Sequence, residues 1–253
     1  MNASATQKVM LITGGGRGIG AATATLAASQ GYAVVINYQS QQGPAQRVAD
    51  AINAAGGHAV CVQADVSNEV GVMALFAAVD AQFGRIDVLV NNAGVVDVKA
   101  RVDEMSVARW KRMFDINVIG SLICAREAVR RMSTRYGGEG GSIVNVSSAA
   151  SRLGSPGQYV DYASAKGAID AFTLGLAKEV AAEGVRVNAV RPGLIDTEIH
   201  AAAGDADRAS KAKDFVPMKR AGRAEEVAQA IAWLVSDASS YSTGAVVDVS
   251  GGV

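Results

Sequence analysis

Short apolar runs rich in valine and isoleucine recur along the chain and alternate with alanine-rich segments of helical spacing. The runs predict seven strands, at residues 9–12, 34–36, 60–62, 88–90, 143–146, 187–190 and 246–249. The segments between them predict helices, for example at residues 21–30, 45–55, 70–83 and 163–183. Strands that are apolar on both faces are typical of parallel sheets covered by helices. The pattern therefore predicts an α/β fold with a doubly wound parallel sheet and helices on both faces.

The domain organisation follows from what separates these elements. Glycines stand at the ends of several predicted helices, as at Gly31, Gly56, Gly84 and Gly184, where a left-handed residue closes the last turn. No linker rich in proline or serine divides the chain, so we expect a single domain over residues 1–253. Residues 196–220 are polar and alanine-rich with weak periodicity, and we expect this segment to cover the substrate.

Composition and charge narrow the class of partner. Hydrophobic residues make up 49% of the chain, and 24 basic residues balance 24 acidic ones, so neither nucleic acid nor a membrane is an expected partner. Cys61 and Cys124 form no CxxC pair and have no neighbouring histidine, which predicts no metal site and a reducing compartment. The first eight residues lack the apolar stretch of a secretory signal, so we expect a cytoplasmic protein.

A glycine-rich turn follows the first predicted strand. Residues 13–20 read Thr-Gly-Gly-Gly-Arg-Gly-Ile-Gly, and a helix is expected to begin near Ile19. Backbone N–H groups in such a turn, together with the helix dipole, bind a pyrophosphate. The triphosphate-binding loop GxxxxGK[ST] is excluded, because Arg17 and Gly18 supply neither its lysine nor its hydroxyl. The turn therefore favours a dinucleotide.

Tyr162 and Lys166 are spaced for one face of a long predicted helix. Residues four apart lie about 5–6 Å from each other at their Cβ atoms. A tyrosine that acts on a carbonyl near neutral pH needs a nearby cation, since its ordinary pKa is about 10. Lys166 and a bound nicotinamide could both supply that charge, although such a pair alone is common on ordinary helix faces.

Polar residues also follow two of the predicted strands. Ser147 and Ser148 close the fifth strand, and residues 91–94, Asn-Asn-Ala-Gly, end the fourth. The carboxyl ends of parallel strands open into the ligand crevice. Asn117 interrupts an apolar helical stretch at residues 110–123 and, if buried, must find hydrogen-bond partners.

In combination these motifs resemble the short-chain dehydrogenase/reductase family in its compact branch of ~250 residues, over nearly the whole chain. The resemblance implies a seven-stranded Rossmann fold and a catalytic set of Asn117, Ser148, Tyr162 and Lys166. Tyr162 would exchange a proton with the substrate oxygen, and Ser148 would hydrogen-bond that oxygen. Lys166 would bind the nicotinamide ribose and lower the tyrosine pKa, while Asn117 would keep Lys166 connected to a proton-relay water.

The same resemblance implies a cofactor site. Asp65 would face the adenine, residues 91–94 would line the cofactor, and residues 192–197 would flank the nicotinamide amide. With the glycine turn and the end of the second strand, the expected cofactor-binding residues are Gly14, Gly16, Arg17, Gly18, Ile19, Gly20, Asn37, Tyr38, Ser40, Asp65, Val66, Asn91, Ala93, Gly94, Tyr162, Lys166, Pro192, Gly193, Ile195 and Thr197.

The end of the second strand predicts a preference for NADP(H), with NAD(H) also possible. A site that prefers NAD(H) carries an acidic side chain about 20 residues past the glycines, which binds the ribose 2′-hydroxyl. Residues 36–42 contain no carboxylate. Asn37 and Ser40 could hydrogen-bond a 2′-phosphate, and Arg17 could pair with it.

The chain departs from the family pattern at one spacing. Ser148 and Tyr162 are 14 residues apart, whereas many members have 13. In the alternative register Ala149 would be the counterpart, and its side chain makes no hydrogen bond. Ser148 is therefore preferred, with Ser147 as the alternative.

Several readings of function stay open. The leading one is a carbonyl reductase or alcohol dehydrogenase that transfers hydride between NADP(H) and a small or medium substrate. The alternatives are a 3-oxoacyl-carrier-protein reductase, for which Arg126, Arg130, Arg131 and Arg135 could form a basic docking face, and a non-catalytic NADP(H)-binding sensor. We also expect a homotetramer, built on the small residues of 177–182 and the apolar tail 246–253. The pattern names no substrate and no direction of reaction.

Overall fold

The seven predicted strands form one parallel sheet in the computed structural model, which describes residues 7–198 and 211–253. Their bounds are β1 (Val9–Ile12), β2 (Ala33–Tyr38), β3 (His58–Gln63), β4 (Val88–Asn91), β5 (Gly141–Val146), β6 (Val185–Pro192) and β7 (Val246–Val249). Their order across the sheet is β3-β2-β1-β4-β5-β6-β7. β1 pairs with β2 on one side and β4 on the other, so strands after β3 are added on the opposite side of β1. Such a switch point opens a crevice at the carboxyl ends of the strands.

Helices cover both faces of the sheet. Their bounds are α1 (Gly18–Ser29), α2 (Gln42–Ala54), α3 (Glu69–Phe83), α4 (Val107–Phe114), α5 (Gly120–Met132), α6 (Ala150–Leu153), α7 (Val160–Val180), α8 (Ala212–Phe215) and α9 (Ala224–Val235). Side chains of α3, α5 and α7 pack on one face, around Phe76, Cys124 and Ala177. Side chains of α1, α2 and α9 pack on the other, around Ala24, Ile52 and Ile231. The predicted doubly wound α/β fold is confirmed.

The helix ends follow the predicted glycines. Gly31, Gly56, Gly84 and Gly184 all adopt positive φ, between 67° and 90°. A residue with a Cβ is strained in this left-handed region, so glycine is the natural stop signal. The predicted boundaries shift by a few residues: α1 begins at Gly18, and α7 runs over Val160–Val180 with a 3-10 turn after it, at Ala181–Glu183.

The helical stretch around Asn117 is not a continuous α-helix. A π-helical turn, Asp115–Ile119, joins α4 to α5. A π turn holds one more residue than an α turn and is often found at functional sites. Asn117 lies inside it and is fully buried.

Part of the expected substrate-covering segment lies outside the described residues, namely 199–210. The described remainder contains α8, whose Phe215 lines the cavity at the strand ends. Within residues 7–198 and 211–253, no helix is both long and apolar enough to cross a membrane.

Candidate active site

A cavity of about 620 Å³ opens at the carboxyl ends of β1, β2, β4, β5 and β6. The glycine turn and the end of β2 form one end of its wall. Tyr162 and Lys166 of α7, with Ser148 after β5, form its floor. These residues are far apart in sequence and meet because parallel strands end at the same edge of the sheet. Most of the predicted cofactor-binding residues line this cavity, and the exceptions are Gly20 and Asn91.

The glycine turn is shaped by close approach of the backbone. Gly14 has φ +62°, and a Cβ there would lie 3.0 Å from the Cα of Ala93. A Cβ on Gly20 would lie 2.6 Å from Nδ2 of Asn92, so Gly20 serves packing beneath the turn. Asn92 donates hydrogen bonds to the carbonyl oxygens of Thr13 and Gly14, at 2.9 and 3.0 Å. Asn92 thus ties the turn to the end of β4, a role that the sequence did not assign to it.

Asn91 supports the site from below and does not line it. Its Nδ2 donates to Oδ1 of Asn145 at 2.9 Å and to the carbonyl of Ser121 at 3.1 Å. Asn145 in turn donates to the hydroxyl of Thr173 on α7. The expectation that Asn91 contacts the cofactor is therefore corrected: it joins β4, β5, α5 and α7 under the floor.

Asn37 at the end of β2 is also committed to the protein. Its Nδ2 donates to the carbonyls of Ala64 and Val62, at 3.0 and 3.3 Å, and its Oδ1 accepts from the N–H of Gly14. The amide holds β2 to β3 and to the glycine turn, so it has no donor left for a 2′-phosphate. Tyr38 and Ser40 line the cavity, and Ser40 is exposed.

Charged groups flank the same end of the cavity. Nη1 of Arg17 lies 3.3 Å from Oε2 of Glu198, and both side chains are largely exposed. Asp65 accepts a hydrogen bond from the N–H of Ser67 and lines the wall beside Val66. Burial raises the pKa of Asp65, but hydrogen bonds with Ser67 and Gln39 outweigh it and hold the pKa below its usual range. Residues 36–42 contain no carboxylate, and the sequence did not predict that Glu198 would bring one to this end of the cavity.

The floor brings Ser148, Tyr162 and Lys166 together. Both Ser148 and Tyr162 line the cavity, and a hydrogen-bonding interaction with the side chain of Ser148 lowers the pKa of Tyr162. Nζ of Lys166 donates to the carbonyl of Val146 at 2.7 Å and lies 5.6 Å from the centre of the Tyr162 ring. The Ser147 hydroxyl donates instead to the carbonyl of Lys166, at 3.2 Å. Of the three candidates at residues 147–149, Ser148 is therefore the one that contacts Tyr162.

Burial acts in opposite directions on the two titratable groups of the floor. It raises the pKa of Tyr162, while the hydrogen bond with Ser148 lowers it. It lowers the pKa of Lys166 from its usual 10.5 to about 8, against the opposing effect of Asp170. The pKa of Tyr162 therefore lies above its usual value, although Lys166 is nearby.

Gly94 completes the floor, and Asn117 lies behind it. Nδ2 of Asn117 donates to the carbonyls of Val95 and Met113, both at 3.0 Å, and its Oδ1 accepts from the N–H of Val95. A Cβ on Gly94 would lie 2.8 Å from Oδ1 of Asn117 and 3.5 Å from Nζ of Lys166. Asn117 therefore sits beside Lys166 and does not itself line the cavity.

The loop after β6 forms the facing wall. Pro192, Gly193, Ile195 and Thr197 all line the cavity. A Cβ on Gly193 would lie 2.7 Å from Cα of Ser250, and one on Gly18 would lie 3.2 Å from Cγ2 of Thr197. The loop thus reaches back to the glycine turn, as its place in the predicted site requires.

Residues before Tyr162 and on α4 add contacts that sequence reasoning missed. Asp161 is buried and forms an ion pair with Arg109, with Nε 2.7 Å from Oδ2. Arg109 also donates to the carbonyl of Val98 at 2.7 Å. One helical turn further along α4, Arg112 lines the cavity and contacts Asp97. Because α4 reads as an ordinary amphipathic helix, nothing in its sequence distinguishes these two arginines.

The chain is similar to known proteins over nearly its whole length. Residues 14–253 match the family model described as Enoyl-(Acyl carrier protein) reductase. An uncharacterized oxidoreductase of Escherichia coli is 53% identical over 96% of this chain and 99% of its own length. A 3-oxoacyl-[acyl-carrier-protein] reductase of a Synechocystis strain is 39% identical over 98% of this chain and 97% of its own. The crystal structure of a short-chain type dehydrogenase/reductase from Mycobacterium marinum has a TM-score of 0.90 at 34% identity, covering 97% of this chain and 94% of that one.

The parallel sheet with its crevice, the glycine turn and the Tyr162–Lys166 pair agree with these similarities. The protein belongs to the short-chain dehydrogenase/reductase family and is an oxidoreductase. Enzymes of this family use a nicotinamide dinucleotide and act on small molecules.

Proposed function

We propose that the protein transfers hydride between NADP(H) and a carbonyl or alcohol substrate, with Tyr162 as general acid and base. The observation that supports this proposal most directly is the convergence of Ser148, Tyr162 and Lys166 at the floor of the cavity, with Lys166 buried one helical turn from Tyr162. Each of the two hydroxyls can donate one hydrogen bond to a substrate oxygen. The adjoining cavity, of about 620 Å³, extends from this floor to the glycine turn.

The residues present fit the cofactor. The glycine turn presents backbone N–H groups at the start of α1, where the helix dipole favours a pyrophosphate. Gly14 and Gly94 keep the backbone bare where a Cβ would clash with Ala93 or Asn117. When bound, the nicotinamide supplies or accepts the hydride. Every proton transfer falls to side chains of the floor.

Tyr162 would donate its phenolic proton to the carbonyl oxygen during reduction and accept it back during oxidation. Ser148 would hold that oxygen in place. The raised pKa of Tyr162 suits the protonated form that reduction requires. For oxidation the pKa must fall, which the positive charges of Lys166 and of the oxidised nicotinamide would bring about.

Lys166 and Asn117 would act through their neighbours. With a pKa of about 8, Lys166 exchanges protons close to neutral pH, and it would hydrogen-bond the nicotinamide ribose. Asn117 keeps the backbone of Val95 in place beside Lys166. In this role Asn117 is a positioning residue, and its place in a proton-relay chain to water is part of the proposal.

The preference for NADP(H) now rests on Arg17 and Ser40, because Asn37 is engaged inside the protein. Arg17 already pairs with Glu198, so a 2′-phosphate would have to replace that carboxylate. A phosphate can do so, because it carries more negative charge and more acceptor oxygens than a carboxylate. Asp65 would remain on the adenine side of the site.

The hypothesis of a 3-oxoacyl-carrier-protein reductase is less well supported by the structure. Arg126 and Arg130 contact Glu127, Arg126 also contacts Glu69, and Arg131 contacts Asp80 and Glu127. Arginines paired in this way leave little unbalanced charge for an acidic partner. A measurement of turnover distinguishes the enzyme that we propose from a cofactor sensor without activity.

We further propose that the protein is a homotetramer and that residues 196–220 cover the substrate. On α7 the exposed residues Leu174 and Gly175 form a surface on which a second helix could pack closely. Ala177 and Val180, expected there from the sequence, belong to the monomer core. β7 is an edge strand whose valines are half-buried. Light scattering at micromolar concentration tests the tetramer, and a monomer mass would refute it.

The main experiment is a turnover screen with NADPH and with NADH against a panel of ketones, aldehydes and sugars, followed by nicotinamide absorbance. We expect turnover with at least one carbonyl and a higher kcat/KM with NADPH. Tight cofactor binding by calorimetry without any turnover would favour the sensor instead.

A further inference from the structure

The substrate end of the cavity carries an arginine with unused hydrogen-bond donors. Arg112 on α4 lines the cavity together with apolar side chains, among them Val95, Ile116 and Leu153. Within residues 7–198 and 211–253 its one charged contact is Asp97, where Nη1 lies 3.5 Å from Oδ2. This is a long contact, and 56% of the Arg112 side chain stays exposed. A guanidinium has five N–H donors, so four of those on Arg112 have no partner among the described residues.

Arg109, one turn earlier on the same helix, is an arginine whose three guanidinium nitrogens all donate to protein groups, in contrast to Arg112. Its Nε and Nη2 both donate to Asp161, and its Nη1 donates to Val98. Only 10% of its side chain is exposed. Arg109 thereby holds the loop at residue 98 against α7, next to Tyr162. The adjacent Asp97 of this loop lies opposite Arg112.

Asp97 and Arg112 differ in how much of their hydrogen-bonding capacity is unused. Oδ1 of Asp97 accepts from the N–H of Val98 at 2.8 Å, and Oδ2 faces Arg112. Asp97 therefore uses about half of its acceptor sites, whereas Arg112 uses one of its five donors, in a long contact. The excess of donors is on Arg112, and a ligand that brings acceptor oxygens complements it.

We propose that Arg112 binds a carboxylate carried by the substrate, so that the protein acts on oxo- or hydroxy-carboxylic acids. This inference rests on the proposed function for the position of the reacting carbon near Tyr162. A carboxylate is favoured because its two oxygens match the fork of a guanidinium. The apolar residues of the cavity would contact the carbon skeleton between the two polar ends.

The test compares two ketones that differ in one group, cyclohexanone and 4-oxocyclohexanecarboxylate. We expect wild-type kcat/KM to favour the carboxylate by about tenfold, the scale of one charge-assisted pair at a half-exposed site. Arg112→Gln should bring this ratio close to one by raising KM for the carboxylate. Arg112→Lys, which keeps the charge, should retain part of the ratio. Lys111→Gln, an exposed neighbour outside the cavity, is the control and should leave the ratio unchanged.

The failure of this inference is distinct from that of the proposed function. If the ratio is near one in the wild type, or persists in Arg112→Gln, the carboxylate site is wrong while turnover of ketones still stands. If neither ketone reacts, calorimetric titration of cyclohexanecarboxylate in the presence of NADP⁺ decides. Binding that weakens about tenfold in Arg112→Gln supports the site, and equal or undetectable binding in both proteins overturns it. Thermal melts show whether each variant is folded.

Discussion

The floor and the mouth of the cavity are built by different means. At the floor, Ser148, Tyr162 and Lys166 belong to or directly follow regular elements, and Lys166 is buried. At the mouth, the pair Arg17–Glu198 is exposed, and the pair Asp97–Arg112 joins a half-buried carboxylate to an exposed arginine. Water screens exposed pairs, so they exchange partners at little cost, whereas buried groups are fixed by what surrounds them. We therefore expect the floor to keep its arrangement when a ligand binds, and the pairs at the mouth to rearrange.

The largest effect is expected at the floor. Tyr162→Phe removes the proton donor and leaves the ring, so kcat should fall by about 10²–10⁴-fold, the range usual for a general acid. Affinity for NADPH, measured by calorimetry, should stay nearly the same. A variant that keeps more than about a tenth of wild-type kcat would contradict the assignment of Tyr162.

Next in size is the ion pair that holds the floor to α4. Asp161→Asn leaves Arg109 buried without its counter-charge, and we expect the free energy of unfolding to fall by about 3 kcal/mol. Asp103→Asn breaks the exposed pair with Arg101 and should change it by less than about 1 kcal/mol. Urea denaturation measures both. Equal losses would remove the distinction between buried and exposed pairs on which the comparison rests.

A third test concerns the pH dependence of the buried lysine. The pKa of Lys166 is about 8 in the folded protein, below its usual 10.5, so the charged lysine destabilises the fold at pH values below 8. Between pH 8 and 10.5 the folded state loses this proton before the unfolded state does, and stability rises with pH.

Lys166→Met lacks this titration. Between pH 7 and pH 10 the difference in unfolding free energy should therefore move in favour of the wild type by about 2 kcal/mol. The lost hydrogen bond to Val146 adds an offset that does not depend on pH. A difference that is constant across this range would show that Lys166 titrates normally.

The smallest effect is expected at the mouth. Arg17→Ala should lower the ratio of kcat/KM for NADPH over NADH by about tenfold, because one charge-assisted contact to the 2′-phosphate is lost. Glu198→Gln should raise the same ratio, since it removes the carboxylate that competes for Arg17. A wild-type enzyme that works better with NADH, or an unchanged ratio in both variants, would refute the role of Arg17.

The difference between floor and mouth also explains what the sequence could predict. The strands, the covering helices and the Tyr162–Lys166 spacing follow from periodicity, and they place the floor. Asn37 was misread because a strand pattern does not show whether its last amide turns toward the cavity or toward the next strand. Glu198 and Arg112 were missed because exposed side chains on loops and helix faces carry no periodic signal.

The π turn at Asp115–Ile119 has a consequence for how α4 and α5 are matched to the rest of the protein. In an α-helix each residue turns the chain by about 100°, so one extra residue rotates everything after it by that amount. Met113 before the turn and Cys124 after it each reach their own cluster of buried residues with this rotation in place. Without this extra residue, α5 would be rotated so that its buried face no longer pointed toward the sheet. The spacing that places Asn117 beside the floor of the cavity is thus the same spacing that keeps the two helices in phase.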